Sequence, residues 1–206
     1  NGDSAAFVAD SATSFTVEGV ENGEEHCVTM STLYAQGESP QSDELCVIPF
    51  AVRRDHYTGA LQVTITNEGN IGYTNSRTSP DSLDIDSIGL GFVYVNTNYL
   101  YEGGLMVGTD PDHISDCIRN DTDGWTQDED FIEIEDTYLY LDTAHALANE
   151  VGVVSLRDDG AENPLGVRIE QRSYADDSFE LRNGTIFHYT IINEGNSDLT
   201  GLYAGL

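Results

Sequence analysis

Apolar and polar side chains alternate along most of this 206-residue chain, and the alternation limits the fold more than any other feature. Residues 61–66 (LQVTIT) place apolar side chains on one face of a strand and polar side chains on the other. No stretch shows a convincing apolar stripe at the spacing of an amphipathic helix. The sequence therefore predicts an all-β fold.

Turn-forming residues divide the chain into many short strands, and this spacing is typical of an antiparallel sandwich or barrel. Asn183-Gly184 predicts a type I′ hairpin between strands at 178–182 and 185–193. Residues 111–119 fit either a short helix or the return strand of a hairpin, and we favour the hairpin. Further strand candidates are 14–20, 26–35, 44–53, 88–95, 104–108, 131–135, 137–141, 151–156 and 165–171.

A short motif occurs twice, as TITNEGN at residues 64–70 and as TIINEGN at residues 190–196. Both copies are expected to end a strand in the same turn. The repeat indicates either two related halves or the general suitability of Asn and Gly for turns after strands.

The charge balance excludes several functions. The chain has 37 acidic residues and 8 basic ones, all arginine, which gives a formal net charge of -29. Nucleic acid and anionic membrane surfaces are therefore disfavoured partners, and the absence of lysine excludes Schiff-base and P-loop chemistry. No apolar run approaches the roughly 18 residues of a membrane-spanning helix, so we expect no membrane insertion.

No local motif predicts catalysis. None of the 5 histidines lies in a motif with serine or cysteine, so only the fold could assemble a catalytic triad. We interpret Asp55-His56 and Asp112-His113 as turn residues and place His188 at a structural strand position. Two of the many carboxylates could meet as in a glycosidase, but coincidence is the simpler explanation. We therefore expect no enzyme.

An acidic loop is the best candidate for a metal site. Asp121 and Asp123 precede Gly124, and Asp128 and Asp130 follow a few residues later. Closely spaced oxygen ligands in a glycine-containing loop are what Ca²⁺ requires, so we predict a calcium site there. The alternative is a solvated acidic loop, and the acidic segment 81–86 is a second possible contributor.

The 3 cysteines show no Cys-x-x-Cys spacing. This disfavours a structural zinc site and favours a disulfide.

The run from residue 20 to residue 47, with its loop Gly37-Glu38-Ser39-Pro40-Gln41-Ser42, resembles the last strands of a fibronectin type III domain. The resemblance implies a partial unit over residues 1–49 whose first strands are missing or supplied elsewhere. It would place Cys27 and Cys46 on adjacent strands of one hairpin, where they can form a disulfide if they face the same side. Cys117 is then left over, either buried or bridging two chains, and we favour burial.

From residue 50 onward, the segments 67–73, 99–109, 163–167 and 189–195 are similar to regions that follow the protease domain in secreted subtilisin-like peptidases and to parts of multidomain surface proteins. This implies an extracellular β-rich accessory region. The catalytic signatures of that family are absent, so no catalytic role is transferred. We expect residues 50–206 to form a larger, jelly-roll-like antiparallel sandwich, truncated at its C-terminus.

These observations predict a non-catalytic structural or adhesive module outside the cell or on its surface, forming part of a larger polypeptide. One alternative is a filament subunit that assembles by β-strand addition, because the apolar segment 199–206 lacks a polar tail. That segment predicts either a chain that continues or an edge strand that pairs with another copy. The other alternative is an enzyme that acts on carbohydrate or peptide through a site assembled by the fold.

Overall fold

The computed structural model describes residues 15, 17, 20, 25–47, 49, 51–72, 89–100, 102–118, 127–134 and 137–206. These residues form strands, turns and loops but no helix, which confirms the all-β prediction. No helix among them is long and apolar enough to cross a membrane. The chain divides into two compact units, Asn1–Phe50 and Ala51–Leu206, which are described separately.

In the described part of the first unit, the strands are short and no residue is buried. Its strands are β1 (His26–Val28), β2 (Leu33–Tyr34), β3 (Gly37–Glu38) and β4 (Leu45–Val47). β1 pairs antiparallel with β4, and β2 pairs antiparallel with β3. None of the described residues of this unit is buried, and its exposed large apolar side chains include Val28, Met30, Leu33, Tyr34, Leu45 and Val47.

The second unit begins with a six-stranded sheet. Its strands are β5 (Arg53–His56), β6 (Leu61–Thr66), β7 (Asn70–Gly72), β8 (Phe92–Tyr94), β9 (Thr97–Leu100) and β10 (Glu102–Gly104). β5 lies along one edge of β6, while β8 and β7 share the other edge. β9 extends the sheet beyond β8, and β10 extends it beyond β7.

A three-stranded sheet follows, formed by β11 (Met106–Asp110), β12 (His113–Asp116) and β18 (Tyr203–Gly205). β11 and β12 form an antiparallel hairpin, which confirms the hairpin interpretation of this region. β18 pairs with β11 of the same chain. The final apolar segment therefore has a strand partner within the chain along one edge, and its pairing with another copy stays a prediction.

The third sheet has five strands: β13 (Ile132–Glu133), β14 (Tyr140–Asp142), β15 (Glu150–Arg157), β16 (Val167–Ala175) and β17 (Thr185–Asn193). β13 and β14 share one edge of β15, and β16 and β17 continue the sheet on the other side. Alternation places one face of β15 and β16 in the core. That core also draws side chains from β6, β7 and β11, and its buried members include Val63, Ile65, Val107, Leu139, Val154, Leu156, Val167 and Ile169. The jelly-roll-like layering stays a prediction.

The predicted type I′ hairpin at Asn183-Gly184 is wrong, because residues 178–182 are not a strand. The Ser178 carbonyl accepts hydrogen bonds from the amides of Leu181 and Arg182 at 3.2 and 2.9 Å, which closes a helical turn instead. β17 pairs with β16 across this longer connection. Two consecutive positive φ angles occur at Val95 and Asn96, in the tight turn between β8 and β9.

The repeated motif does not form the same turn twice. In the first copy, the Thr66 hydroxyl oxygen accepts hydrogen bonds from the amides of Glu68 and Asn70 at 3.3 and 2.9 Å. In the second copy Ile192 takes the place of this threonine and has no hydroxyl. There the Gly195 amide donates a hydrogen bond to Oδ1 of Asn193 at 2.9 Å. The two copies thus differ in the hydrogen bonds that close their turns.

Candidate functional site

A buried polar network joins the first and third sheets of the second unit. His56 is the last residue of β5, and its side chain is fully buried. Its Nδ1 lies 3.1 Å from Oε2 of Glu150 at the start of β15, and its Nε2 lies 2.7 Å from Oγ of Ser173 on β16. The fold therefore brings together a hydroxyl, an imidazole and a carboxylate that are far apart in sequence.

The Glu150 carboxylate also holds the turn that follows β5. Its Oε2 accepts hydrogen bonds from the backbone amides of Tyr57 and Thr58 at 2.9 and 3.2 Å. One oxygen thus has three donors, counting His56. Buried carboxylates are stable only when such donors replace their hydration, so Glu150 has a structural task that does not depend on any substrate.

Gly152 provides the space for this network. It lies on β15 directly opposite Ser173 on β16. A Cβ at this position would lie closer than 3.0 Å to Ile65 Cδ1 and to Ser173 Oγ, and 3.3 Å from His56 Nε2. Only a residue without a side chain allows the imidazole and the hydroxyl to meet here.

Burial lowers the pKa of His56 below its ordinary value of 6.5, and the nearby Glu150 and Asp55 oppose this effect. The imidazole is therefore neutral at pH 7. Because a carboxylate can only accept, Nδ1–H donates to Glu150, and Nε2 accepts the hydroxyl proton of Ser173. This assigns the tautomer from the hydrogen-bond partners.

The network has the connectivity of a catalytic triad, but its serine and histidine are inaccessible. In such a triad, a carboxylate orients the imidazole, and the imidazole removes the proton of the nucleophilic hydroxyl. Here both Ser173 and His56 have 0% solvent exposure. A substrate therefore cannot reach the hydroxyl without opening the contact between two sheets.

Sequence reasoning missed this arrangement. The turn interpretation of Asp55-His56 is wrong, because these two residues form the end of strand β5. By contrast, Asp112 lies in the turn between β11 and β12, and His113 opens β12 and lies 2.9 Å from Asp110. His188 lies at an exposed position on β17.

A groove of about 580 Å³ lies on the opposite face of the third sheet. Ser173 points into the core, so its neighbour Tyr174, which lines the groove, points away from it. The lining combines apolar side chains with carboxylates and one imidazole: Leu147, Tyr174, Leu181, Ile186, Asp176, Glu180 and His188. The sheet separates this groove from the buried network.

A second buried carboxylate, Asp158, follows β15. It accepts hydrogen bonds from the Ser115 hydroxyl at 3.0 Å and from the amides of Leu165 and Val167 at 2.6 and 2.8 Å. Asp158 has 0% exposure and several donors, so it stabilises the loop between β15 and β16.

The predicted calcium ligands are only partly described. Asp121 and Asp123 lie outside the described residues, as does the acidic segment 81–86. Asp128 donates its amide to the Ile118 carbonyl, and Asp130 Oδ2 accepts the Asp116 amide at 3.0 Å. Burial, followed by the charges of Asp116 and Asp158, raises the pKa of Asp130.

Within the described ranges, one group has three potential metal ligands within 4.8 Å of one another, namely Glu25, Cys27 and Cys46. Its two sulfurs form a disulfide and so provide no thiolate for a metal. The calcium site therefore stays a prediction.

The cysteines have different environments. Cys27 and Cys46 lie directly opposite each other on β1 and β4, with Cα atoms 4.0 Å apart, and are joined as a disulfide. Cys117 is free and fully buried, and burial raises the pKa of its thiol. The thiol is therefore protonated and shielded, as expected for a packed cysteine.

Comparison of the chain with protein-family models, curated proteins and solved structures finds no match. The fibronectin-like and peptidase-associated resemblances stay predictions.

Proposed function

We propose that this chain is a non-catalytic structural or adhesive β-module of a secreted or surface protein. The observation that carries the proposal is the burial of the His56–Glu150–Ser173 network. Its hydroxyl and imidazole have no exposed surface, and its carboxylate also holds the turn after β5. This arrangement suits a connection between sheets and does not suit turnover of a substrate.

The extracellular location is supported by the Cys27–Cys46 disulfide, since disulfides persist in oxidising compartments. The disulfide lies in a unit whose described residues have no buried core. A cross-link matters most where apolar burial contributes little stability. An intact bond is therefore expected to be needed for this unit to keep its fold.

The rival function is an enzyme that acts on peptide or carbohydrate through Ser173. The two functions are separated by treating the folded protein with a fluorophosphonate, which reacts with activated serine hydroxyls, and by measuring the intact mass. We expect no adduct, because the hydroxyl is buried. A single adduct that disappears in Ser173→Ala would establish an activated nucleophile and overturn the proposal.

A stability measurement on Ser173→Ala completes the test. Loss of the hydroxyl leaves Nε2 of His56 buried without its partner, at a cost of about 1–3 kcal/mol. We expect a lower free energy of unfolding in chemical denaturation. The matched control is Ser178→Ala, which removes a hydroxyl from the loop between β16 and β17 and should change stability less.

A further inference from the structure

β17 is a long strand at the edge of the third sheet. It pairs with β16 through nine consecutive residue pairs, from Thr185 to Asn193, and the register has no bulge. No other strand among the described residues pairs with its second edge. Its backbone therefore presents a regular row of hydrogen-bonding groups at the edge of a sheet.

This edge lacks the usual protection against strand pairing. Natural edge strands carry charged residues, proline or bulges that prevent another strand from adding. Residues 185–193 (TIFHYTIIN) contain no lysine, arginine, aspartate, glutamate or proline. The neighbouring β16 carries Arg168, Glu170 and Arg172, so the uncharged edge stands out in a chain of net charge -29.

We propose that β17 pairs antiparallel with β17 of a second copy, about a two-fold axis at Tyr189. In this register, Ile186 lies opposite Ile192 of the second copy, and Phe187 lies opposite its Ile191. His188 lies opposite Thr190, Thr185 opposite Asn193, and Tyr189 opposite itself. Apolar residues thus meet apolar residues and polar ones meet polar ones at every position, as a self-complementary two-fold interface requires.

The two-fold axis keeps each face of the sheet continuous. Ile186 points to the outer face, where it is 54% exposed and lines the groove. Pairing covers this side chain with Ile192 of the second copy and buries apolar surface that is otherwise in water.

The antiparallel register keeps the acidic residues of the two grooves apart. Asp176 and Glu180 line the groove at the start of β17. The end of β17 lies beside Arg168, which is opposite Ile192 and forms ion pairs with Glu170 and Glu194. Antiparallel pairing brings the acidic groove of one copy toward this end of the other, where the charge of Arg168 is balanced by its glutamate partners. A parallel arrangement would bring two acidic grooves together.

The overall charge opposes association at low ionic strength. Two copies of net charge -29 repel each other. The Debye length falls from about 10 Å at 0.1 M salt to about 3 Å at 1 M salt, so salt screens the repulsion but not the short-range apolar contacts of β17. We therefore expect salt to favour the dimer.

In this dimer the partner of the proposed structural module is a second copy of the same chain, and the inference rests on that proposed function. The test is sedimentation velocity of the full chain over a wide concentration range at about 0.1 and 1 M NaCl. We expect a monomer–dimer equilibrium that strengthens with salt. Ile186→Lys should weaken the dimer about tenfold or more, since symmetry replaces two Ile–Ile pairs at once.

The matched control is Ile132→Lys on β13, at the other side of the same sheet, where the isoleucine is 50% exposed. This substitution should leave the dimer unchanged. Mixing Ile186→Lys with Ile192→Glu should restore dimers, because the new Lys and Glu lie opposite each other only in the proposed register. Should Ile186→Lys fail to fold by its melting curve, Thr190→Lys, also exposed on β17, replaces it.

A monomer at all concentrations and salts would overturn the proposal, as would equal effects of Ile186→Lys and Ile132→Lys. Open-ended polymers would exclude a closed two-fold pairing. Association only with an added extended peptide would assign the edge to a different partner. None of these outcomes changes the fluorophosphonate result, so failure here is distinct from failure of the non-catalytic role.

Discussion

Gly152→Ala tests whether the buried network is built around a glycine. The new Cβ would lie closer than 3.0 Å to Ile65 Cδ1 and to Ser173 Oγ. Both neighbours are buried, so neither can move into solvent. Overpacking of this kind costs about 1–3 kcal/mol, while the loss of glycine flexibility in the unfolded chain returns about 0.4–1 kcal/mol.

We therefore expect Gly152→Ala to lower the free energy of unfolding by about 1–2 kcal/mol, which corresponds to about 2–8 °C in Tm for a unit of this size. Urea denaturation followed by circular dichroism measures the change. Ile65→Val removes the clashing Cδ1 atom at a cost of about 0.5–1.5 kcal/mol by itself. In the double variant, the measured loss of stability should be smaller than the sum of the losses in the two single variants.

The control is Gly184→Ala, because a Cβ at Gly184 has no neighbour within 4 Å. It should change stability by less than about 0.5 kcal/mol. A Gly152→Ala protein as stable as the parent, or additive losses in the double variant, would show that the network does not depend on this contact.

Two further predictions concern protons and metal. Because burial lowers the pKa of His56, the unfolded state binds its proton more readily, so the free energy of unfolding should fall as pH drops below about 6.5. Buried carboxyls with raised pKa such as Glu68 and Glu133 act in the opposite sense. The readout is therefore the difference from His56→Gln, and parallel pH profiles of the two proteins would contradict it. For calcium, a chelator should lower the Tm of the parent but not that of an Asp121→Ala, Asp123→Ala double variant, and an unchanged Tm in the parent would end the proposal of a calcium site.

The strands were predictable where one face of a strand meets the core and the other does not. Residues 185–193, predicted from alternation and from the turn signal at Asn183-Gly184, match β17. β6 also matches its predicted range, 61–66, but its polar face is covered as well, because Thr64 and Thr66 are buried. Turn types were less predictable, because hydrogen bonds from neighbouring groups decide them. At Asn183-Gly184, the bonds to the Ser178 carbonyl override the preference of the dipeptide for a type I′ turn.

The buried network was not predictable from local pattern. β5 (RRDH) shows no apolar alternation, and the two polar partners of the buried His56 lie 94 and 117 positions away in the sequence. Nothing near Glu150 or Ser173 distinguishes them from exposed polar residues until β5 and β16 are brought together. Such long-range polar contacts follow from topology, which short sequence patterns do not encode.

The shared carboxylate of Glu150 links a surface turn to a central strand of the third sheet. The amides of Tyr57 and Thr58 are held by an acceptor on β15, which in turn is held by β16. Local fraying of this turn must therefore detach it from a strand in the middle of another sheet. The amide protons of Tyr57 and Thr58 are therefore expected to exchange with solvent more slowly than those of a surface turn without such an acceptor.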